Sequence, residues 1–523
     1  MTAVNLDLEK TLEKSFHPVP ELIRLHASTR PDHPALVQDN RTLRYAELDR
    51  LMDRVAAALQ RDGVKPGEAI AICAAGSIEF AVVFLGSLRA GVAVAPLAPS
   101  SSAESLVTMA SDAGARKLFI DQPVSEALAP VIDKLGIARI ALDGSAAGTP
   151  LSDWFAAADA VPANVDIRPE WPFNIIYSSG TTGAPKGIVQ PHSMRWTHAQ
   201  RGVGNGYGAG AVTLLSTPLY SNTTLVSFFP TVGLGGTVVL MPKFDAGAYL
   251  ALAEKYRVTH TMLVPVQYQR IMSRPDFDNF DLSAFRMKFC TSAPFSAALK
   301  ADILKRWPGG LIEYYGMTEG GGTCILAAHE YPHKLHTVGQ PSAGHDIRLI
   351  DDQGREVPRG GSGEVVGHSG AMMAGYHNQP GKTAEAEWYD PTGKRFIRTG
   401  DIGRFDDDGF LTLMDRKKDM IISGGFNVYP SDLESVLMQH PGIAEAAVVG
   451  VPSTRWGETP IAFLVLKDGA AAGAEEVLGW ANERLGKTQR LTAVQIVAAL
   501  PRSAIGKVLK RELRDGFRTD KPV

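Results

Sequence analysis

Residues Tyr177-Ser178-Ser179-Gly180-Thr181-Thr182-Gly183-Ala184-Pro185-Lys186-Gly187 decide the reading of this chain. They follow a short apolar run, Phe173 to Tyr177, that reads as the end of a buried strand. Glycine lets backbone N–H groups come close to a ligand. The hydroxyls add donors and Lys186 adds a mobile positive charge, a combination suited to holding a polyphosphate. The stretch is not a Walker A loop: that motif needs a glycine directly before the lysine, and Pro185 stands there. A surface turn rich in Ser, Thr and Gly is the plain alternative. The ordered hydroxyls, proline and lysine argue against it.

The pattern Tyr-Ser-Ser-Gly-Thr-Thr-Gly-x-Pro-Lys-Gly resembles the phosphate loop of the adenylate-forming superfamily. Acyl-CoA synthetases, luciferases and the adenylation domains of peptide synthetases are members. The resemblance implies that Thr181, Thr182 and Lys186 hold the β- and γ-phosphates of ATP.

The rest of the chain is consistent with such an enzyme. At 523 residues it is too long for one ordinary core, so more than one domain is expected. Its 45% hydrophobic and 21% charged content is typical of a globular protein. A net charge of −3 suggests no nucleic-acid surface. Cys73, Cys290 and Cys324 are scattered, which argues against a disulfide framework or a zinc site and fits a reducing compartment. The N-terminal stretch lacks the apolar core of a secretory signal, and Phe80 to Leu88 is too short to span a bilayer. A cytoplasmic enzyme, monomer or homodimer, is expected.

Apolar spacing predicts helices over 19–27, 45–59, 79–90, 106–112, 246–256 and 297–307. Short apolar runs predict strands over 69–74, 92–94, 117–120, 212–216, 237–241 and 261–264. The alternation predicts an α/β fold with largely parallel sheets flanked by helices. Composition changes near Phe405 to Asp419, and a compact α+β pattern follows. The expected organisation is an N-terminal adenylation domain over 1–415, a hinge over 416–418 and a small mobile domain over 419–523.

Adenylation joins a carboxylate to the α-phosphate of ATP and expels pyrophosphate, so anionic reactants must be neutralised and aligned. Four further stretches fit these needs. Tyr314-Tyr315-Gly316-Met317-Thr318-Glu319 contains a hard oxygen donor, Glu319, suited to Mg2+. The family match implies adenine stacking at Tyr315, close backbone at Gly316 and α-phosphate contact by Thr318. Upstream, Thr291-Ser292-Ala293-Pro294 resembles the small-residue loop against adenine. Thr399-Gly400-Asp401 resembles the family's ribose-binding aspartate, since a carboxylate accepts from both ribose hydroxyls. In Arg416-Lys417-Lys418-Asp419, Arg416 resembles a ribose ligand and Lys418 the hinge residue. Lys507, in Pro501-Arg502-Ser503-Ala504-Ile505-Gly506-Lys507, resembles the catalytic lysine that bridges the carboxylate and α-phosphate.

The second step separates the members of the superfamily. Gly424-Gly425-Phe426-Asn427 and Arg455-Trp456-Gly457-Glu458 resemble the stretches that bind coenzyme A in aryl- and acyl-CoA ligases of the 4-coumarate and fatty-acid type. That resemblance implies pantetheine passing Gly424 and Gly425, a hydrogen bond from Asn427 and stacking on Trp456. Lys487 to Leu491 departs from the family's usual pattern, which leaves the phosphate contacts of CoA unassigned. The acyl pocket is assigned to Tyr220, Ser221, Asn222, Tyr314, Gly320, Gly321 and Gly322, with Val264, Gln267 and Tyr268 as further lining or ordinary helix-start packing. Ser221 stands where many acyl-CoA ligases have histidine, and the missing side chains at 320–322 suggest an enlarged tunnel. No aspartate is present to meet an α-amino group, which disfavours amino-acid activation. The expected activity is an AMP-forming carboxylic acid–CoA ligase using ATP, Mg2+ and CoA. Transfer to a carrier-protein thiol and a non-catalytic nucleotide-binding regulator are the alternatives.

Overall fold

The computed structural model of the chain describes residues 3–131, 134–178, 185–423, 426–454, 456–486, 489–503 and 506–517. It divides into two compact units. The first holds residues 1–335, 341–346 and 367–397; the second holds 336–340, 347–366 and 398–523.

The first unit is built on two sheets. In the nine-stranded sheet the strands Val212–Leu215, Thr237–Leu240, His260–Leu263, Met287–Cys290 and Gly310–Tyr315 run parallel; they are short and mostly apolar, as suits strands covered on both faces, with His260, Lys288 and Glu313 buried among them. The eight-stranded sheet joins parallel strands Ala69–Cys73, Ala93–Pro96, Ala115–Ile120 and Ala138–Ala141 to Pro172–Ser178, and ends on antiparallel Lys186–Pro191 and Gly375–Tyr376. Helices Tyr45–Arg61, Ile78–Arg89 and Asn222–Gly233 share one core with both sheets, through Met52, Phe84 and Phe229 on the helices and Phe173 and Val238 on the strands. Every residue of Ile78–Arg89 except Glu79 is buried, and Ser77 caps the helix by accepting from the Phe80 amide at 3.0 Å.

The expected elements of this unit lie close to their spans, with ends shifted by a few residues: 106–112 extends to Ala103–Asp112 and 261–264 becomes His260–Leu263. Strands Ala138–Ala141, Met287–Cys290 and Gly310–Tyr315 and helix Asn222–Gly233 were not expected from the sequence. Nor was helix His192–Gly204, which positions the site. It buries Arg195 and His192 beside Met194 and Trp196, so its inner face carries no apolar stripe.

In the second unit, strands Ile443–Ser453 and Gly457–Leu466 form a long antiparallel ladder beside Ile421–Ser423 and Ala493–Ile496. Helices Pro430–Leu437 and Ala474–Asn482 cover them through Leu433, Leu437, Val477 and Ala481. In this unit residues 401–405 also pair antiparallel with Leu411–Arg416, a ladder that runs up to the expected hinge. Among the described residues no helix is long and apolar enough to cross a membrane.

Candidate active site

Strand Pro172–Ser178 places Ser178 opposite Lys186, the first residue of the next strand. Residues 179–184 lie outside the described residues, and with them Thr181 and Thr182. Lys186 is described. Its Nζ sits 4.8 Å above the ring of Tyr376, on the neighbouring strand Gly375–Tyr376. The hydroxyl of that tyrosine donates to Glu319 Oε1 at 2.8 Å. Burial and the adjacent Glu319 carboxylate push the Tyr376 hydroxyl pKa up, so it stays protonated as a donor. Sequence reading passed over Tyr376, which lies outside the motifs. It is nevertheless the link between the loop lysine and the candidate metal carboxylate.

Thr318 and Glu319 form a turn just after strand Gly310–Tyr315. The turn is held from two sides: Gln190 Nε2 donates to the Thr318 carbonyl at 2.6 Å, and the Met373 amide donates to the Glu319 carbonyl at 2.8 Å. Both carbonyls are thereby fixed from elsewhere in the same unit, Thr318 by a strand residue and Glu319 by the segment before strand Gly375–Tyr376. Among the described residues no cluster of three His, Cys, Asp or Glu side chains could hold a metal by itself. Mg2+ takes one or two protein carboxylates and completes its shell with phosphates and water, which is the role a single carboxylate such as Glu319 could fill.

In the loop 291–294, Ser292 adopts a left-handed φ of 82°, rare for a residue with a side chain. Its hydroxyl is hydrogen-bonded at 2.6 Å to Thr223, in the first turn of helix Asn222–Gly233. The candidate adenine loop is thus tied to the helix that starts at the acyl-pocket candidates, with Ala293 and Pro294 following on the surface side.

Those candidates divide. Asn222 Oδ1 accepts from Arg195 Nη2 at 2.9 Å and from Gln190 Nε2 at 3.3 Å. Ser221 is buried at the helix N-cap. Tyr220 is half-buried, and burial raises its pKa. Tyr314 stacks on Phe289 with centroids 5.7 Å apart, and its hydroxyl lies close enough to Arg201 and Asn205 to feel both. The glycines have a different account from an enlarged tunnel. A Cβ on Gly320 would lie 2.1 Å from the Ala371 carbonyl oxygen, and one on Gly321 would lie 2.9 Å from the Gly367 oxygen; both have positive φ. The backbone itself requires glycine at these two positions. Gln267 and Tyr268 serve the helix start: Gln267 bonds to the Val264 amide and the Ser216 carbonyl, and Tyr268, fully buried, donates to the Phe289 carbonyl at 2.9 Å.

Behind Asn222 lies a buried polar network. The Arg195 guanidinium, with no exposed surface, donates to Asn174 Oδ1 at 3.2 Å, to Asn222 and to Gln190 Oε1. Phe173 and Phe229 flank it at 5.8 and 5.7 Å. Burial pushes its pKa down to about 9, so it remains a cation at neutral pH. Gln190 passes the order on to Thr318.

In the second unit, Asp401 and Arg416 are direct cross-strand partners and form an ion pair at 3.3 Å. Lys417 pairs with Asp352 at 2.8 Å and Glu364 at 3.3 Å. Partial desolvation lowers the pKa of Lys418, although the residue is exposed. Lys507 follows Gly506, whose φ is 79°, and its carbonyl accepts from the Ser503 amide at 2.8 Å. Trp456 is 46% exposed, unusual for a large aromatic ring. Gly424, Gly425 and the side chain of Asn427 lie outside the described residues.

Comparison with known proteins identifies the family. Residues 23–377 match the AMP-binding enzyme model and residues 432–507 match the AMP-binding enzyme C-terminal domain. The chain is 33% identical over 499 residues to a feruloyl-CoA synthase of Amycolatopsis sp, covering 94% of this chain and 97% of the relative. It is 32% identical over 506 residues to the fatty acid–[acyl-carrier-protein] ligase ScoC of Streptomyces coeruleorubidus, covering 94% and 95%. Among solved structures, ATP-bound MatB from Rhodopseudomonas palustris superposes with a TM-score of 0.86 at 29% identity, covering 95% of this chain and 99% of that one. An aspartate paired with an arginine, a lysine tied through one tyrosine to a lone carboxylate, and two family models over most of the chain have one reading: the chain belongs to the AMP-binding enzyme family, the adenylate-forming acid ligases.

Proposed function

We propose that the protein is an AMP-forming carboxylic acid–CoA ligase. The observation that carries the adenylation half is the line Lys186–Tyr376–Glu319, with Thr318 anchored beside it by Gln190. An ammonium, a carboxylate suited to Mg2+ and a threonine are grouped in one unit. Mg2+ at Glu319 would neutralise phosphate charge. Lys186, Thr181 and Thr182 hold the β- and γ-phosphates. Tyr315, Gly316, Ser292, Ala293 and Pro294 receive the adenine, and Asp401 and Arg416 the ribose. The substrate carboxylate attacks the α-phosphorus, an oxygen–phosphorus bond forms, and the bond to the leaving pyrophosphate breaks. Lys507 and Thr318 meet the charge that develops at the α-phosphate.

In the second half-reaction the thiol sulfur of CoA attacks the acyl-AMP carbonyl carbon and AMP leaves. Lys418 is the pivot about which residues 419–523 move between the halves. The exposed Trp456 supports CoA as acceptor, since an aromatic face in water is suited to stacking on a nucleotide base. A carrier-protein thiol is the second reading. It is favoured by the similarity to ScoC, as strong as that to the CoA-dependent relative.

Purified protein incubated with ATP, Mg2+, CoA and a broad panel of acids is expected to release AMP with a subset of them, and Lys507→Ala is expected to abolish release. No AMP from any acid, with Lys507→Ala indistinguishable, overturns the proposal. A strong preference for a pantetheine-loaded carrier over free CoA moves the assignment to the second reading.

A further inference from the structure

One face of helix His192–Gly204 gathers basic side chains that, among the described residues, no carboxylate meets. Arg195 and His198 are one turn apart on it, with Arg195 Nη1 3.4 Å from His198 Nδ1. Arg201 is the next turn, half-buried, with its Nη2 2.5 Å from His345 Nε2. Among the described residues neither Arg195 nor Arg201 has an ion-pair partner. Such charges are costly to bury unless something compensates them.

The hydrogen-bond inventory around His345 does not balance either. Arg201 directs an N–H at Nε2, and the Thr323 amide directs an N–H at Nδ1 at 2.8 Å. A neutral imidazole has one accepting nitrogen, and an imidazolium has none. Whatever its tautomer, this cluster has more donors than acceptors. Burial and the Arg201 charge drive His345 down to about 4, and burial with Arg195, Arg201 and His345 drives His198 well below its usual range, so adding protons does not relieve the surplus.

The surroundings say which ligand this would meet. Thr323 follows Gly322, and Arg201 lies close enough to Tyr314 for its charge to bear on that hydroxyl. Tyr314 and Gly322 belong to the stretch assigned to the acyl pocket. Asn222, assigned to the same pocket, is bonded to Arg195. The surplus donors therefore adjoin the acyl-binding residues, while Lys186 and Glu319 have each other's neighbourhood through Tyr376.

The geometry points to an acid substrate that carries a second ionised carboxylate, bound by Arg201 with His345 at the end of the acyl pocket remote from the reacting group. This rests on the acid-ligase reading above and specifies its substrate class. A carboxylate supplies acceptors for both donors, and a guanidinium can take it in a bidentate grip. Arg201 acts in binding and selection, not on the reacting atoms.

The test pairs aliphatic and aromatic dicarboxylic acids with their monomethyl esters on the full chain. In ATP–pyrophosphate exchange at least one diacid is expected to exceed its half-ester by about tenfold to a hundredfold in kcat/KM, mostly through KM. Arg201→Gln is expected to collapse that ratio, and Arg201→Lys to restore part of it. Calorimetric binding of the same pairs, without ATP, reads the inference apart from turnover: diacid binding that weakens about tenfold or more in Arg201→Gln supports it even if exchange fails, which would sink only the ligase reading. Half-esters that match or exceed their diacids in the wild-type protein, in exchange and in binding, overturn the inference without any variant. So does an Arg201→Gln protein that melts like the wild type and keeps the same ratio.

Discussion

Tyr376 does two jobs with one side chain, its ring under Lys186 and its hydroxyl on Glu319. Tyr376→Phe removes only the second. Losing a hydrogen bond to a carboxylate of about 1.5–3 kcal/mol predicts a fall of about tenfold to a hundredfold in adenylation kcat/KM. Pyrophosphate exchange measures it, and the melting temperature should move little; an unchanged rate would remove Tyr376 from the site. Buried histidines make a second residue-scale prediction. Burial pushes His26 and His260 down to about 4 and His192 to about 3. Their unfolded values lie near 6.5, so between about pH 6.5 and 4 the unfolded chain binds more protons than the native one. The stability they contribute is complete above that window and is lost as pH falls through it, by about 1.4 kcal/mol per pH unit for each histidine. Urea midpoints at pH 7 and 4.5 check this, and His26→Gln should flatten the slope.

Helix His192–Gly204 is the element through which the core reaches the site. Its buried Arg195 gathers Asn174, Gln190 and Asn222, and Gln190 in turn holds the Thr318 carbonyl. Arg195→Met keeps much of the volume but leaves Asn174 Oδ1 without its donor and takes one donor each from Gln190 Oε1 and Asn222 Oδ1. A loss of about 1–3 kcal/mol is expected, the cost of an orphaned buried acceptor. Denaturant unfolding measures the stability, and pyrophosphate exchange should fall with it as Thr318 loses its anchor. A neutral or stabilising effect would mean the network is dispensable, as can happen when buried charges are replaced by apolar groups. This helix also shows why part of the site was illegible. Amphipathic period marks helices whose inner face is apolar. Here the inner face carries Arg195 and His192, so the pattern is absent where the polar network is built.

At the scale of the molecule, the chemistry-bearing residues are shared between two compact units. Lys186, Ser292, Thr318, Glu319 and Tyr376 belong to the first; Asp401, Arg416, Lys418 and Lys507 belong to the second. If the proposed two half-reactions turn on one pivot, the two can be separated. Lys418→Pro locks the backbone at the proposed hinge and constrains Lys417 before it. It is expected to spare one half-reaction and slow the other by about tenfold or more. Pyrophosphate exchange reads the first, and AMP release from supplied acyl-AMP and CoA reads the second. Equal loss in both would place no hinge there.

The sequence by itself determined what depends on local order. The candidate phosphate loop, turn acid and ribose aspartate are runs of neighbouring residues whose chemistry is carried by type and spacing, and parallel strands such as Ala69–Cys73 and Thr237–Leu240 announce themselves as short apolar runs because both their faces are covered. It also singled out Gly320 and Gly321, though not their reason, which is a backbone that passes too close for a Cβ. Only the tertiary structure decided how those runs are joined. Tyr376 reaches Glu319 across 57 residues, Gln190 reaches Thr318 across 128, and Arg201 meets His345 across 144. Such pairings are set by sheet register and helix packing, and no local pattern encodes a hydrogen bond between residues that only the folded core brings together.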